Sequence, residues 1–121
     1  MRIENIELYY LSMPEILDEA DGSQDALIVK VEGGGYAGWG ECEASPLTSI
    51  ANFICPKSHS AAKPIRESII DKKLNDLSDV KKISYDVKQN SLMIAQTPHT
   101  YSGIEIAILD LLGKKKSVSN F

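Results

Sequence analysis

The first third of the chain alternates apolar and polar residues with the two-residue period of β-strands. Pro14 interrupts this pattern, and an acidic, turn-rich loop over residues 14–25 separates the first apolar segment from the second. The run Gly33–Gly35 supplies the positive φ angles that a tight hairpin requires. The pattern therefore predicts an antiparallel β-meander with strands over residues 2–13, 26–32 and 36–44.

Beyond residue 44 the spacing of apolar residues lengthens to the three or four positions that are typical of helices. The segment 45–60 contains Pro46 and Pro56 and is irregular, with room for a short helical turn around Leu47–Ile54. Three helices are predicted after it, over residues 61–73, 78–96 and 100–115. Strands followed by helices indicate an α+β fold, in which a three-helix bundle follows a three-stranded antiparallel meander.

The last predicted helix is apolar on nearly every side. Ile106 and Leu109 fall outside its main apolar face, which is formed by Ile104, Ala107, Ile108, Leu111 and Leu112. A helix of this kind is normally buried in a larger body, and an apolar patch usually marks an interface. The pattern fits a central core helix and a helix that meets a further domain equally well. Asp110, if buried, requires a partner, which we expect in an adjoining domain.

The chain has 121 residues, which is the size of one domain. Its net charge of −4 argues against nucleic-acid binding, which needs clustered basic residues. No apolar run approaches the length that crosses a bilayer, and the N-terminus lacks the apolar stretch of a signal peptide. Two cysteines do not form a disulfide framework in a chain of this length. We therefore expect a cytoplasmic protein that binds neither nucleic acid nor membranes.

Several residue types invite a chemical role, but their spacing favours a structural one. Glu41 and Glu43 share one face of a strand, where a solvated or interdomain surface is favoured over a catalytic pair. His59 and His99 lack a second ligand at metal-binding spacing. Cys55 lies close to His59 but has no third residue to orient the pair as a nucleophile and base. We predict no catalytic residue and no metal ligand in this chain.

Two motifs carry a resemblance to a known family. The hairpin ends in Gly38-Trp39-Gly40-Glu41-Cys42-Glu43, and the final helix holds an A-x-x-D-x-x-G-K pattern that begins at Ala107. Their order and separation resemble the start of the mandelate racemase/muconate lactonizing family of the enolase superfamily, over the whole chain. The chain departs from the family pattern at Ile108, where a large aromatic residue is usual, and at 117–119, where Gly-x-Pro is usual.

The resemblance implies that residues 1–121 form the N-terminal capping domain of a Mg²⁺-dependent racemase, cycloisomerase or sugar-acid dehydratase. Such isomerases and lyases abstract a proton α to a carboxylate in a C-terminal (β/α) barrel, which also carries the Mg²⁺ ligands. The expected partners are therefore the protein's own barrel, which is absent from this chain, a small carboxylate substrate and further copies in a homo-oligomer. A truncated chain of this kind is expected to be inactive alone.

The same resemblance implies that two loops, over residues 14–25 and 45–60, close over the substrate. Their candidate polar contacts are Glu15, Ser49, Asn52, Lys57 and His59, and their candidate apolar walls are Ile16, Leu47, Ile50 and Phe53. The alternative is a stand-alone binding or dimerisation module that has the same fold without enzymatic activity. The outer apolar side of the last helix separates the two hypotheses, because a stand-alone module is expected to cover it.

Overall fold

The computed structural model describes residues 1–15, 24–42, 45–55, 63–91 and 96–120. Its strands are β1 (Asn5–Leu11), β2 (Ala26–Gly33) and β3 (Tyr36–Cys42), and its helices are α1 (Pro46–Ile54), α2 (Leu77–Asn90) and α3 (Thr97–Asn120). The expected α+β fold is confirmed, since three antiparallel strands are followed by three α-helices. The described residues contain no barrel. None of the described helices is long and apolar enough to span a membrane.

The three strands form one antiparallel sheet in which β2 is central. The register pairs Ile6 with Val31 and Val29 with Gly40. Because side chains alternate between the two faces of a strand, one face of the sheet lies beneath the helices and the other points outward. The buried face contains Ile6, Leu27, Val29, Val31, Gly38 and Cys42.

The prediction of a helix over residues 61–73 is wrong for the part of this range that the structure describes. A single 3₁₀ turn covers Ile65–Ser68, and Asp71 then adopts a left-handed conformation with φ of 65°. The chain continues as an extended segment in which Lys73 bridges to Arg2. The apolar spacing misled the prediction, because one tight turn is enough to bury both Ile65 and Ile69.

The other helices differ from the prediction mainly at their ends. The proposed turn around Leu47–Ile54 is a full helix that begins at Pro46, because proline is well tolerated in the first turn. Helix α2 is capped by the side chain of Asp76, and it ends at Asn90 rather than at residue 96. Its final residue is followed by Ser91, whose backbone is extended. Helix α3 is longer than predicted at both ends.

Helix α3 crosses β3 with the two backbones in direct contact. A Cβ atom added to Gly38 would lie 2.1 Å from the carbonyl oxygen of Ala107, and one added to Gly40 would lie 2.1 Å from that of Gly103. On the helix side, a Cβ atom on Gly103 would lie 2.6 Å from the backbone of Glu41. Only glycine permits so close an approach. The predicted apolar face of α3 is confirmed as core, since Ile104, Ala107, Ile108, Leu111 and Leu112 are all buried.

Candidate functional site

Both candidate loops leave the sheet at the same end. The final ladder pairs bring the end of β1 at Leu11, the start of β2 at Ala26 and Leu27, and the end of β3 at Cys42 into one row. Helix α1 begins four residues after Cys42. The topology therefore gathers the roots of the segments 14–25 and 45–60 at this end, which we call the loop end of the domain.

The loop end contains a shallow, open depression of about 300 Å³. Among the described residues, its lining consists of Gln24, Asp25, Glu41 and Cys42. Two of these four residues are carboxylates, so the depression suits hydrogen-bond donors better than it suits an anion.

Asp25 is held by two hydrogen bonds from the end of β1. Its Oδ1 atom accepts from the backbone N–H of Met13 at 2.7 Å, and its Oδ2 atom accepts from the hydroxyl of Tyr10. The Tyr10 hydroxyl and then the Met13 amide lower the pKa of the Asp25 carboxyl below its ordinary value. The same contact raises the pKa of Tyr10. Sequence reasoning missed this group, because nothing in the spacing of residues 10 and 25 shows that they meet.

Cys42 is a structural residue and is poorly suited to be a nucleophile. Its Sγ atom is buried and donates to the carbonyl oxygen of Thr100 at 3.2 Å. Burial raises the pKa of the thiol to about 11, so the reactive thiolate is scarce near neutral pH. Cys55 is exposed at the end of α1, and both cysteines are free thiols.

The candidate loop residues fall into four groups, of which three are described first. Leu47 is exposed on α1, with 67 % of its surface accessible, and Glu15 is also exposed. Ile50 is half-buried against the core. Three further candidates lie outside the described residues, namely Ile16, Lys57 and His59. Leu47 and Glu15 are therefore the described candidates that remain open to a ligand.

The other three candidates on α1 point into the domain. Phe53 belongs to the hydrophobic core, and Asn52 donates to Oγ1 of Thr97 at 3.3 Å. Ser49 is fully buried, and its Oγ atom accepts from Nε2 of Gln96 at 3.2 Å. These side chains hold α1 against α3 rather than lining a surface that a substrate could reach. The sequence pattern could not separate the two faces of α1, because polar residues occur on both.

Metal-binding residues do not gather in the described parts of the chain. No three His, Cys, Asp or Glu side chains lie together there as a possible cation site. His99 is exposed in the first turn of α3, whereas Glu43 and His59 lie outside the described residues. The Mg²⁺ ion that the resemblance implies therefore has no ligand set within these ranges.

The A-x-x-D-x-x-G-K pattern has a structural explanation. Asp110 accepts from the backbone N–H of Trp39 at 2.9 Å, and Lys114 donates to the carbonyl oxygen of Ala37 at 2.9 Å. The two side chains also form an ion pair with an N–O distance of 3.0 Å. Although burial opposes it, the Trp39 amide and Lys114 lower the pKa of Asp110. The expectation that Asp110 pairs with an adjoining domain is wrong, because its partners Trp39 and Lys114 both belong to this chain. Asp110 and Lys114 together cover the outer edge of β3.

In the described part of the chain, α3 and the outward face of the sheet each expose an apolar surface. On α3, Ile106 and Leu109 lie about one turn apart and have 53 % and 39 % of their surfaces exposed. On the outward face of the sheet, the rings of Tyr9 and Trp39 stack with centroids 6.0 Å apart. The Nζ atom of Lys30 lies 5.5 Å from the centre of the Trp39 ring. Ile106 and Leu109, which fell outside the predicted core face, are therefore not buried by the rest of the described chain.

Neither a protein-family model nor a curated protein matches the sequence. Solved structures do match it. A crystal structure of a predicted mandelate racemase from Rhodobacter sphaeroides is 51 % identical over 95 % of this chain, with a TM-score of 0.89. A protein provisionally described as a racemase is 25 % identical over 95 % of the chain, with a TM-score of 0.69. The chain spans 29 % and 28 % of the lengths of these two proteins.

Proposed function

The chain has the N-terminal domain of the mandelate racemase family, and from this we propose that it caps the active site of a Mg²⁺-dependent enzyme. The observation that carries the proposal is the 51 % identity to a predicted mandelate racemase over 95 % of the chain. The convergence of both candidate loops on the loop end supports it, because a cap needs its variable segments on one side.

We propose that the reaction is abstraction of a proton α to a carboxylate, as in a racemase, a cycloisomerase or, as we favour, a sugar-acid dehydratase. Mg²⁺ held by a barrel would stabilise the charge that develops on the substrate carboxylate. The role that we propose for this domain is to contact the substrate and to exclude water from it. Leu47 would form part of the wall of the pocket, because it is the most exposed of the described apolar residues at the loop end.

The charges at the loop end support one orientation of the substrate. Asp25 and Glu41 line the depression, and two carboxylates there would repel the substrate carboxylate. The substrate carboxylate would therefore point toward the barrel and its metal, and hydroxyl groups would point toward the cap. This arrangement is one reason to favour a polyhydroxylated acid.

The exposed side of α3 supports a second body beside this domain. Ile106 and Leu109 form a small apolar surface that no described part of the chain covers. We propose that it packs against the barrel, because an exposed apolar patch generally marks an interface.

A grafted enzyme tests the proposal. This chain would replace the matching 29 % of the Rhodobacter sphaeroides protein, and the graft would be incubated in D₂O with mandelate, gluconate or muconolactone. Proton NMR would follow loss of the α-proton signal with and without Mg²⁺. We expect Mg²⁺-dependent loss for at least one acid, at relative rates that differ from those of the parent protein. A folded graft that exchanges none of these acids would contradict the proposal.

Leu47→Ala and Leu77→Ala provide a matched pair for the capping role. Both leucines are exposed and lie near the start of a helix. Leu77, however, begins α2 two residues after Asn75, which accepts from the N-terminal amine of Met1 beside the β2–β3 turn, at the opposite end of the sheet. We expect Leu47→Ala to change the ratio of kcat/KM values between two acids and Leu77→Ala to leave it unchanged. Equal ratios for both variants would argue against substrate contact by α1.

The competing hypothesis is a stand-alone binding or dimerisation module. The exposure of Ile106 and Leu109 favours the cap, because a module that evolved alone is expected to bury such residues. Light scattering and binding of a hydrophobic dye distinguish the two. A monomer that binds no dye would favour the stand-alone module, and so would a stop codon directly after Phe121 in the gene.

A further inference from the structure

The carboxylate of Asp25 joins two strands just beyond the point where their ladder ends. The last paired residues of β1 and β2 are Leu11 and Ala26. Asp25 precedes that pair by one residue, and its side chain accepts from Met13, two residues beyond the ladder on the other strand. It also accepts from the hydroxyl of Tyr10. We infer that Asp25 is a positioning residue, which fixes the direction in which the chain leaves β1 and enters β2.

Both oxygen atoms of the carboxylate are needed for this arrangement. Oδ1 receives the Met13 amide and Oδ2 receives the Tyr10 hydroxyl. An asparagine has a single acceptor oxygen, so it could not accept these two hydrogen bonds on separate oxygen atoms. Hydrogen bonds to an ionised carboxylate are about twice as strong as neutral ones. The two bonds together therefore hold the side chain of Tyr10 and the backbone at Met13 in one orientation relative to β2.

The position of this group gives it a consequence for substrate binding. Asp25 lines the depression at the loop end, beside Glu41. The residues that it ties together, Tyr10 and Met13, are exposed at the same end. A shift of the strand ends would therefore move a surface that faces the proposed substrate. This inference rests on the proposed capping function and adds to it a named residue that orients the cap without itself reacting.

Tyr10→Phe and Tyr9→Phe form a closely matched test. Each tyrosine donates its hydroxyl to a carboxylate, Asp25 for Tyr10 and Glu7 for Tyr9, and their exposed fractions are 39 % and 38 %. Only Tyr10 contacts Asp25 at the loop end, whereas Tyr9 stacks on Trp39 on the outward face of the sheet. The two substitutions remove the same atom from comparable environments, so a difference between them reports position rather than general stability.

The kinetic readout uses the grafted enzyme with whichever of mandelate, gluconate or muconolactone it exchanges fastest. We expect Tyr10→Phe and Asp25→Asn to raise KM about five- to tenfold, the factor that corresponds to one hydrogen bond, with kcat changed less than twofold. Tyr9→Phe should leave both constants unchanged. Amide exchange of Met13, measured on this chain by NMR, should accelerate in Asp25→Ala, which has no side-chain acceptor, and remain slow in Tyr9→Phe.

Results that contradict the positioning role of Asp25 can be distinguished from results that contradict the proposed function. An active graft in which Tyr10→Phe and Tyr9→Phe have equal KM values would overturn the positioning role and leave the proposed function intact. Unchanged exchange of the Met13 amide in both Asp25→Asn and Asp25→Ala would also overturn it, because the carboxylate would then not hold that backbone. An inactive but folded graft would overturn the proposed function, and the positioning role would fall with it.

Discussion

Replacing two glycines of α3 separately by alanine should change stability in opposite directions. Gly103 lies against the backbone of β3, and a Cβ atom there would sit 2.6 Å from Glu41 and from the amide nitrogen of Cys42. Gly113 lies in the same helix with nothing within 4 Å of the corresponding position. Both substitutions make the same chemical change in an α-helix, so their difference isolates the contact with β3.

The expected change in the free energy of unfolding follows from the distances around each glycine. Ordinary contacts begin near 3.4 Å, so Gly103→Ala requires the helix and strand to separate by about 0.8 Å, the difference between 3.4 and 2.6 Å. Overpacking of this kind costs about 1–3 kcal/mol, and the upper end applies because backbone cannot rotate away as a side chain can. Alanine in place of glycine contributes about 1 kcal/mol to an exposed helix. Gly103→Ala should therefore lower the free energy of unfolding by about 2 kcal/mol, and Gly113→Ala should raise it by about 1 kcal/mol.

Urea denaturation measures both changes. Far-UV circular dichroism reports the helices, and the fluorescence of Trp39, the only tryptophan, reports the strand that α3 crosses. The two probes should give one transition, with similar m-values for the wild type and both variants. If the variants differ by less than about 1 kcal/mol in the free energy of unfolding, the close contact between α3 and β3 does not exist as described.

Three further predictions concern single side chains. Asp110→Ala should lower the free energy of unfolding by about 1 kcal/mol and accelerate amide exchange at Trp39, which loses its acceptor; unchanged exchange would contradict the edge contact. The Ser78 hydroxyl and the Asp79 amide at the start of α2 lower the pKa of Asp76 below its ordinary 3.8. The stabilising effect of the Asp76 carboxylate should therefore be present above pH 4 and lost as the pH falls through the lowered pKa. Urea curves of wild type and Asp76→Ala, measured at several pH values, should converge below that pKa. Iodoacetamide at pH 8 should alkylate Cys55 rapidly and Cys42 only after unfolding, as mass spectrometry of peptides would show.

Local patterns were sufficient to predict the sheet and the buried face of α3. The alternation around Leu27, Val29 and Val31 identifies β2 because one of its faces is buried and the other is not. Apolar spacing failed between residues 61 and 73, where Ile65 and Ile69 satisfy the same spacing in a much tighter turn. Pro64, which the prediction did not use, precedes that turn and is a sequence signal for a shorter element.

The loop end could be predicted only in outline. Its location follows from the order of strands, but the contacts of Asp25 join residues whose separation in sequence carries no periodic signal. The same holds for Asp110, whose partner Trp39 is 71 residues away. Ser49 is a candidate for a substrate surface because it is polar, yet it is buried and accepts a hydrogen bond from Gln96 inside the domain. Pairings between distant polar groups depend on the assembled fold, and the sequence of one chain does not reveal them.

The crossing of α3 over β3 also determines the order in which this domain can be completed on the ribosome. The meander is built from neighbouring segments and can pair as soon as residue 42 has emerged. The backbones of Gly38 and Gly40, however, have no cover until the helix that contains Gly103 is synthesised more than sixty residues later. During that interval the edge of β3 is open to pairing with other nascent chains. Slower translation before α3 should therefore increase aggregation, whereas slower translation after α3 should not.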